Sequence, residues 1–278
     1  NELLDKEMRL DTIDLKNAYA LPIPVTVIQE MVGVADEDMS ELYKGIEAIM
    51  DGFSGWRIVR TMWWDMPRLF KFLRKLIERK RDNPGDDILT GLIQAEEEGE
   101  SLSEDEIVSM VFLLITAGFG TTIQLITIGV IALLQYPEQL ARLRENPDLI
   151  EPAIEEILRF SGPVQSTEVN YPTEDITLHG VTIPKGATVF PLLGAANHDP
   201  AMFENPEVFD ITRSPNKHLG FGSGIHSCLG ASLARMETKI AITNLLKRNT
   251  NLRLAVDPSE LEIQVRPGFH MYKSLPVI

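Results

Sequence analysis

Phe221-Gly-Ser-Gly-Ile-His-Ser-Cys-Leu-Gly230 is the stretch on which the reading of this 278-residue chain turns. Glycines at 222 and 224 permit positive φ and a close approach of backbone to whatever the loop faces. Leu229 opens a predicted helix running to Leu246, so Cys228 sits at a helix N-terminus, where the first amides and the dipole favour a thiolate. A thiolate there serves as nucleophile, metal ligand or redox centre; the plain alternative is a buried, inert cysteine. The glycine spacing and the helix start count against that alternative.

Cys228 is the only cysteine, which rules out an intrachain disulfide and any multi-cysteine zinc or iron–sulfur site built from this chain alone. With 26 basic against 41 acidic residues, the net charge of -15 argues against nucleic-acid binding. Residues 1–10 mix acids and bases with no apolar core, so no signal peptide is expected. From Ile107 to Gln135 no residue is charged, long enough to cross a bilayer. Ser109, Thr116, Thr121, Thr122, Gln124 and Thr127 interrupt that run, and no basic cluster flanks it. The pattern suits the central helix of a soluble, cytoplasmic protein without a membrane span.

The first two-thirds of the chain reads as helix. Leu21-Pro22-Ile23-Pro24 opens an apolar helix stopped by Gly33. Arg57 to Arg81 reads as one amphipathic helix with a solvated basic face, followed by a turn at Asn83-Pro84-Gly85-Asp86. Ser103-Glu104-Asp105-Glu106 is a capping box that starts one long apolar helix up to Pro137. Another helix, with Pro152 in its first turn, reaches about Phe160. Residues 176–183 and 187–191 then read as hairpin strands, and 251–278 as short strands. No linker separates two domains, so residues 1–278 are expected to form a single domain.

Phe221, Gly222, Gly224, His226, Cys228 and Gly230 together resemble the haem-binding loop of the cytochrome P450 family, in the form of its soluble bacterial members. The resemblance implies a mainly α fold with a small β region and heme b (iron protoporphyrin IX) as cofactor. It makes Cys228 the iron ligand, sets Phe221 beside the sulfur, Gly222 and Gly230 against the cofactor, and His226 at a propionate. Its implied role for the thiolate is to push electron density toward iron, tempered by amide donors of the loop.

Two further segments agree with the resemblance. Glu156-Ile-Leu-Arg159 puts an acid and a base three apart on one helical face, near enough to pair, although such pairs are common decorations. In the family the corresponding helix is buried and joined by a later arginine, for which Arg213 stands in the right place. In Ala117-Gly-Phe-Gly-Thr-Thr122, residues Ala117, Gly118 and Thr121 share one helical face. Small residues there make either a helix-packing seam or an approach for a flat cofactor. The segment resembles the family's oxygen-activation segment, which makes Thr121 the catalytic residue that helps deliver protons.

The activity so implied is a monooxygenase that inserts one atom of O2 into an apolar organic substrate. Electrons come from a ferredoxin- or flavodoxin-type donor with its reductase. Arg235 and Lys239, with Lys217, offer either a positive patch for such a donor or plain solvated helix charges, and Phe119, Val164 and Thr167 are candidate substrate-wall residues. His179, His198 and His270 form no site, and His218 is expected to bond backbone. Three departures stand out. Gly120 replaces the usual acid before the threonine, Asn170 replaces a propionate-binding arginine, and the match begins partway into the fold. The chain is thus expected to be the C-terminal two-thirds of an N-terminally truncated haem-binding domain. A peroxide-using or non-catalytic haem protein is the nearest rival, and a cysteine-nucleophile hydrolase lacks a convincing base.

Overall fold

The computed structural model describes residues 12–52, 56–97 and 102–278, so the stretch 1–10 read above for targeting signals lies outside them. The chain divides into two compact units, Pro24–Gly120 and a second made of the segments Asn1–Ile23 and Thr121–Ile278.

The described residues of the unit 24–120 form helices joined by short turns and irregular links. Helix α1 (Pro22–Val32), which enters it, ends at Gly33 with φ +70°. Helix α2 (Asp36–Gly52) carries Asp36, Glu37 and Asp38 in its first turn, where acids complement the dipole. The predicted helix from Arg57 to Arg81 is three pieces: α3 (Arg57–Arg60), a π-helical turn (Thr61–Asp65) and α4 (Met66–Asp82). On α4, Leu69, Phe72, Leu73, Leu76 and Ile77 form a buried stripe at helical spacing. Its basic face is not simply solvated: Arg68 pairs with Glu41, Arg74 with Glu104 and Asp105, Arg79 with Asp38, and Arg81 with Glu96. Helix α5 (Ile88–Glu97) precedes α6 (Glu104–Gly118). The latter begins with the expected capping box: Ser103 Oγ accepts the Glu106 amide at 3.4 Å and Glu106 accepts the Ser103 amide at 2.7 Å.

The long apolar helix expected up to Pro137 is broken at Phe119, between α6 and α7 (Gly120–Gln135). Glycines on both sides of Phe119 remove the side-chain packing and helix propensity that hold a helix straight. Taken as one 32-residue span, Glu104–Gln135 is long and apolar enough to cross a membrane, and 61% of its most apolar window is buried within the protein. Its polar side chains have partners inside the protein. Gln124 donates to the Tyr272 carbonyl and accepts the Tyr272 amide, both at 2.9 Å, while Thr127 bonds the Ile123 carbonyl.

The other unit is built around α7, α8 (Pro137–Glu145), α9 (Ile150–Ser161) and, later, α11 (Ala231–Arg248), with short α10 (Leu193–Ala196) between. Ala153, Ile154, Ile157 and Leu158 of α9 and Ala241, Ile242 and Leu245 of α11 are buried. Helix α11 starts two residues later than expected, because Gly230 rather than Cys228 is its N-cap. Strand β1 (Ile13–Asp14) pairs antiparallel with β4 (Pro276–Val277). Strands β2 (Ile176–Leu178) and β3 (Val181–Ile183) form a hairpin turning at His179 and Gly180, both with positive φ. The hairpin thus lies wholly inside 176–183. Residues 187–191 contribute instead the bridge Asn170↔Val189, because Pro184 and Gly186 turn the chain away first. The mainly helical fold with small sheets is the one the sequence implied.

Candidate active site: the Cys228 loop and its supports

Helix α9 delivers three charged residues from one turn. Arg159 grips Glu156 in a bidentate pair, both bonds 2.8 Å, with neither side chain exposed at all. Arg213 reaches the same carboxylate at 3.1 Å and Asn216 at 3.0 Å, while the Asp210 amide donates at 3.0 Å. The arginines spend their remaining donors on backbone. Arg159 bonds the carbonyls of Asn197, Pro206 and Val208, and Arg213 those of Glu204, Asn205 and Val208. A buried charge is tolerable only when paired and hydrogen-bonded to this degree. The network's effect is to fix the segment leading to the cysteine loop.

That loop is held differently. The Leu219 amide donates to the buried Asn197 side chain at 2.7 Å. Gly222 and Gly224 adopt φ +70° and +74°, which side-chain-bearing residues rarely tolerate. The turn they make lets the Cys228 amide reach the Phe221 carbonyl at 2.8 Å. Below it, His218 Nδ1 accepts the Gly220 amide at 3.0 Å, leaving Nε2 to donate to Glu155 at 3.0 Å. Arg235 of α11 grips the same Glu155 at 2.6 and 2.8 Å and lies 4.4 Å from the centre of the Phe221 ring. Burial raises the Glu155 carboxyl, but the bonds from Arg235 and His218 outweigh it and bring its pKa down to about 2.

Cys228 is a free, exposed thiol. His226 is also exposed, Phe221 half-buried, and the apolar side chains of Ile225 and Leu229 are 97% and 80% exposed. A β-carbon at Gly224 or Gly230 would meet nothing within 4 Å. Among the described residues no group of three or more His, Cys, Asp or Glu side chains is arranged to hold a metal. One soft sulfur with an open approach and apolar flanks therefore fits a metal that arrives carrying its other ligands in a flat apolar ring, as in an iron porphyrin.

The remaining predicted residues fall elsewhere. Thr121 is half-buried in the first turn of α7, in the same unit as Cys228. Ala117 and Gly118 close α6 in the unit 24–120, where Ala117 is exposed and Gly118 packs beneath Ile28: a β-carbon there would come within 2.8 Å of it. Phe119 is buried against Tyr43, ring centres 6.4 Å apart, beside a small apolar cavity that Val25, Ile28 and Leu42 also line. Asn170 turns its amide onto the neighbouring Glu168 carbonyl at 2.8 Å. Of the suggested docking cations, Arg235 pairs with Glu155 and Lys239 with Glu151. Sequence reasoning missed Glu155, Asn197 and Asn216, whose partners lie from 22 to 80 residues away.

The cytochrome P450 family profile matches residues 13–260. Cytochrome P450 CYP107DY1 of Priestia megaterium is 44% identical, the match taking in 100% of this chain and 67% of that protein. The polyketide biosynthesis cytochrome P450 PksS of Bacillus subtilis is 40% identical over 99% of this chain and 68% of its own length. Among solved structures, P450BioI in complex with an acyl carrier protein ligated to hexadec-9Z-enoic acid superposes with a TM-score of 0.92 at 40% identity. That match takes in 99% of this chain and 71% of the other.

Proposed function

The chain belongs to the cytochrome P450 family, and from that premise we propose that it takes part in inserting one oxygen atom of O2 into an apolar organic substrate. The family is one of haem–thiolate oxidoreductases. The observation that carries the reading is the exposed Cys228 at the mouth of a glycine-turned loop, with its amide bonded to Phe221 at 2.8 Å. In this reading Cys228 would hold the haem iron through its sulfur, and Phe221, Gly222, His226 and Gly230 would help to hold the haem. Ala117 and Gly118 offer backbone from the end of α6. When bound, the haem supplies the redox-active iron at which O2 is reduced.

The chain's own residues set the conditions for that chemistry. The Cys228 sulfur would supply negative charge to the iron, and the amides of its loop and the nearby Arg235 guanidinium would temper it. Thr121 Oγ1 would hold a proton and pass it on, recharged by water because Gly120 offers no carboxylate. Electrons come from a ferredoxin- or flavodoxin-type donor and its reductase, in the cytoplasm. The names of the relatives, a polyketide-pathway enzyme and one caught with a fatty acyl chain, support a long, largely apolar substrate. Gly120 favours one second reading, a peroxide-using haem protein that bypasses proton delivery.

The test is the optical spectrum of the haem-reconstituted chain, reduced and bound to carbon monoxide. A thiolate-type band that Cys228→Ser abolishes is expected. A band that survives in Cys228→Ser would overturn the assignment, since no other cysteine exists. Turnover supported by a surrogate ferredoxin, against turnover only with added peroxide, separates the two readings.

A further inference from the structure

Two adjacent carboxylates leave α9 in different directions. Glu156 collects the arginines of the buried network, whereas Glu155 is taken by His218 and Arg235. His218 immediately precedes the loop 219–230, and Arg235 lies just after it on α11. We propose that Glu155 is a positioning residue for Cys228, stapling both ends of the loop to α9 and thereby fixing where the sulfur is presented. The inference rests on Cys228 being the iron ligand, as proposed above.

Each contact along the route is short. The bidentate bonds from Arg235 to Glu155 measure 2.6 and 2.8 Å, and the guanidinium lies 4.4 Å from the Phe221 ring centre. Phe221 in turn accepts the Cys228 amide at 2.8 Å. Glu155 therefore acts on the cysteine through Arg235 and Phe221, without touching it. On the other flank, His218 bridges Glu155 and the Gly220 amide, each at 3.0 Å. The loop entrance is pressed onto the same turn of α9, since a β-carbon at Gly220 would come within 3.2 Å of both the Leu158 side chain and its carbonyl.

The loop tip does not fix its own position. Ser223, Gly224, Ile225, His226, Ser227 and Cys228 are all exposed, and the bonds there, Ser227 Oγ to the Gly224 carbonyl and the Cys228 amide to the Phe221 carbonyl, both 2.8 Å, lie within the loop. They shape the turn, while its ends decide where the turn sits. An isolated exposed ion pair holds little. This one is bidentate, ring-stacked and shared with a histidine whose side chain is 4% exposed, which makes it directional.

The experiment compares the whole haem-reconstituted chain with Glu155→Gln, Arg235→Met, Arg235→Lys and the double variant Glu155→Gln/Arg235→Met. The readouts are the iron midpoint potential, the share of reduced, carbon-monoxide-bound haem lacking the thiolate band, and far-UV circular dichroism. Glu155→Gln and Arg235→Met are expected to shift the potential and raise that share several-fold with helicity unchanged. The double variant should be no worse than the worse single one, because both cut the same connection. Arg235→Lys should behave like Arg235→Met, since lysine keeps the charge and loses the fork. Full rescue by lysine, additive effects in the double variant, or unchanged spectrum and potential would each overturn the staple. So would a Glu155→Gln chain that fails to fold beside a spectroscopically normal Arg235→Met. If the unaltered chain itself shows no thiolate band, the haem–thiolate reading falls first and the staple with it.

Discussion

The carboxylate of Glu156 and the sulfur of Cys228 stand at opposite extremes of exposure within one unit. Glu156 is fully buried and surrounded by donors from Arg159, Arg213, Asn216 and the Asp210 amide. Cys228 is exposed, flanked by bare Ile225 and Leu229. The first site is finished by the chain alone, and every partner removed leaves a charge stranded. The second is shaped and open, so in the proposed reading its substitution costs chemistry rather than fold. Energetic importance and chemical importance are thus separated onto different residues, joined by one helix.

The largest expected effect breaks the closed side. Glu156→Ala strands Arg159 in the interior and is expected to destabilise the fold by about 3–5 kcal/mol, measured by denaturant unfolding. A loss below about 1 kcal/mol would place the network among surface decorations.

A second buried carboxylate sharpens the contrast. Glu237 on α11 is 6% exposed, and its Oε2 has no hydrogen-bond partner among the described residues. Desolvation pushes its pKa up from 4.5 to about 7. The folded state therefore holds this proton more tightly than the unfolded one. Its contribution is fully present below about pH 4.5 and is lost as the pH rises toward 7, with no further change above. Glu237→Gln is expected to gain about 1–3 kcal/mol over the unaltered chain at alkaline pH and nothing under acid conditions. Equal stability across both conditions would show a charge already compensated.

On the distal side, Gly120→Asp should add up to about 1 kcal/mol of helix stability, partly offset by burying an acid. More product and less peroxide per electron is the expected result, and Thr121→Ala should do the reverse. Unchanged coupling would mean that protons arrive by another route. The smallest stability effect belongs to the open side. Cys228→Ser should leave unfolding of the chain without haem within about 0.5 kcal/mol, as for exposed substitutions elsewhere. A larger loss would mean the sulfur is packed.

Local chemistry made the central parts of this molecule legible. The spacing of Gly222, Gly224 and Cys228, the three-residue step from Glu156 to Arg159 and the Ser103 capping box are each written within a few positions. The pairing of Glu155 with Arg235 is not, because 80 residues intervene and many acids compete for that arginine. The same distance hides that Arg235 and Lys239, read as part of a positive patch, each pair with an acid of α9. Strand partners failed for another reason. Residues 187–191 have the right composition, yet register depends on where the chain turns, and it turns at His179-Gly180.

The pairing of Ile13–Asp14 with Pro276–Val277 has a consequence for the order of assembly. The unit that holds the cysteine is discontinuous, with all of Pro24–Gly120 spliced into it. Asp14 accepts the Leu275 amide across 261 positions, a ring whose closure costs about 5 kcal/mol of chain entropy. Ile13–Asp14 must wait for Pro276–Val277 before it can pair, whereas Pro24–Gly120 is complete much earlier in the chain. The cysteine-bearing unit therefore closes late and slowly, as contacts of large sequence separation do. The Cys228 sulfur is in the chain before the strand pair that completes its unit.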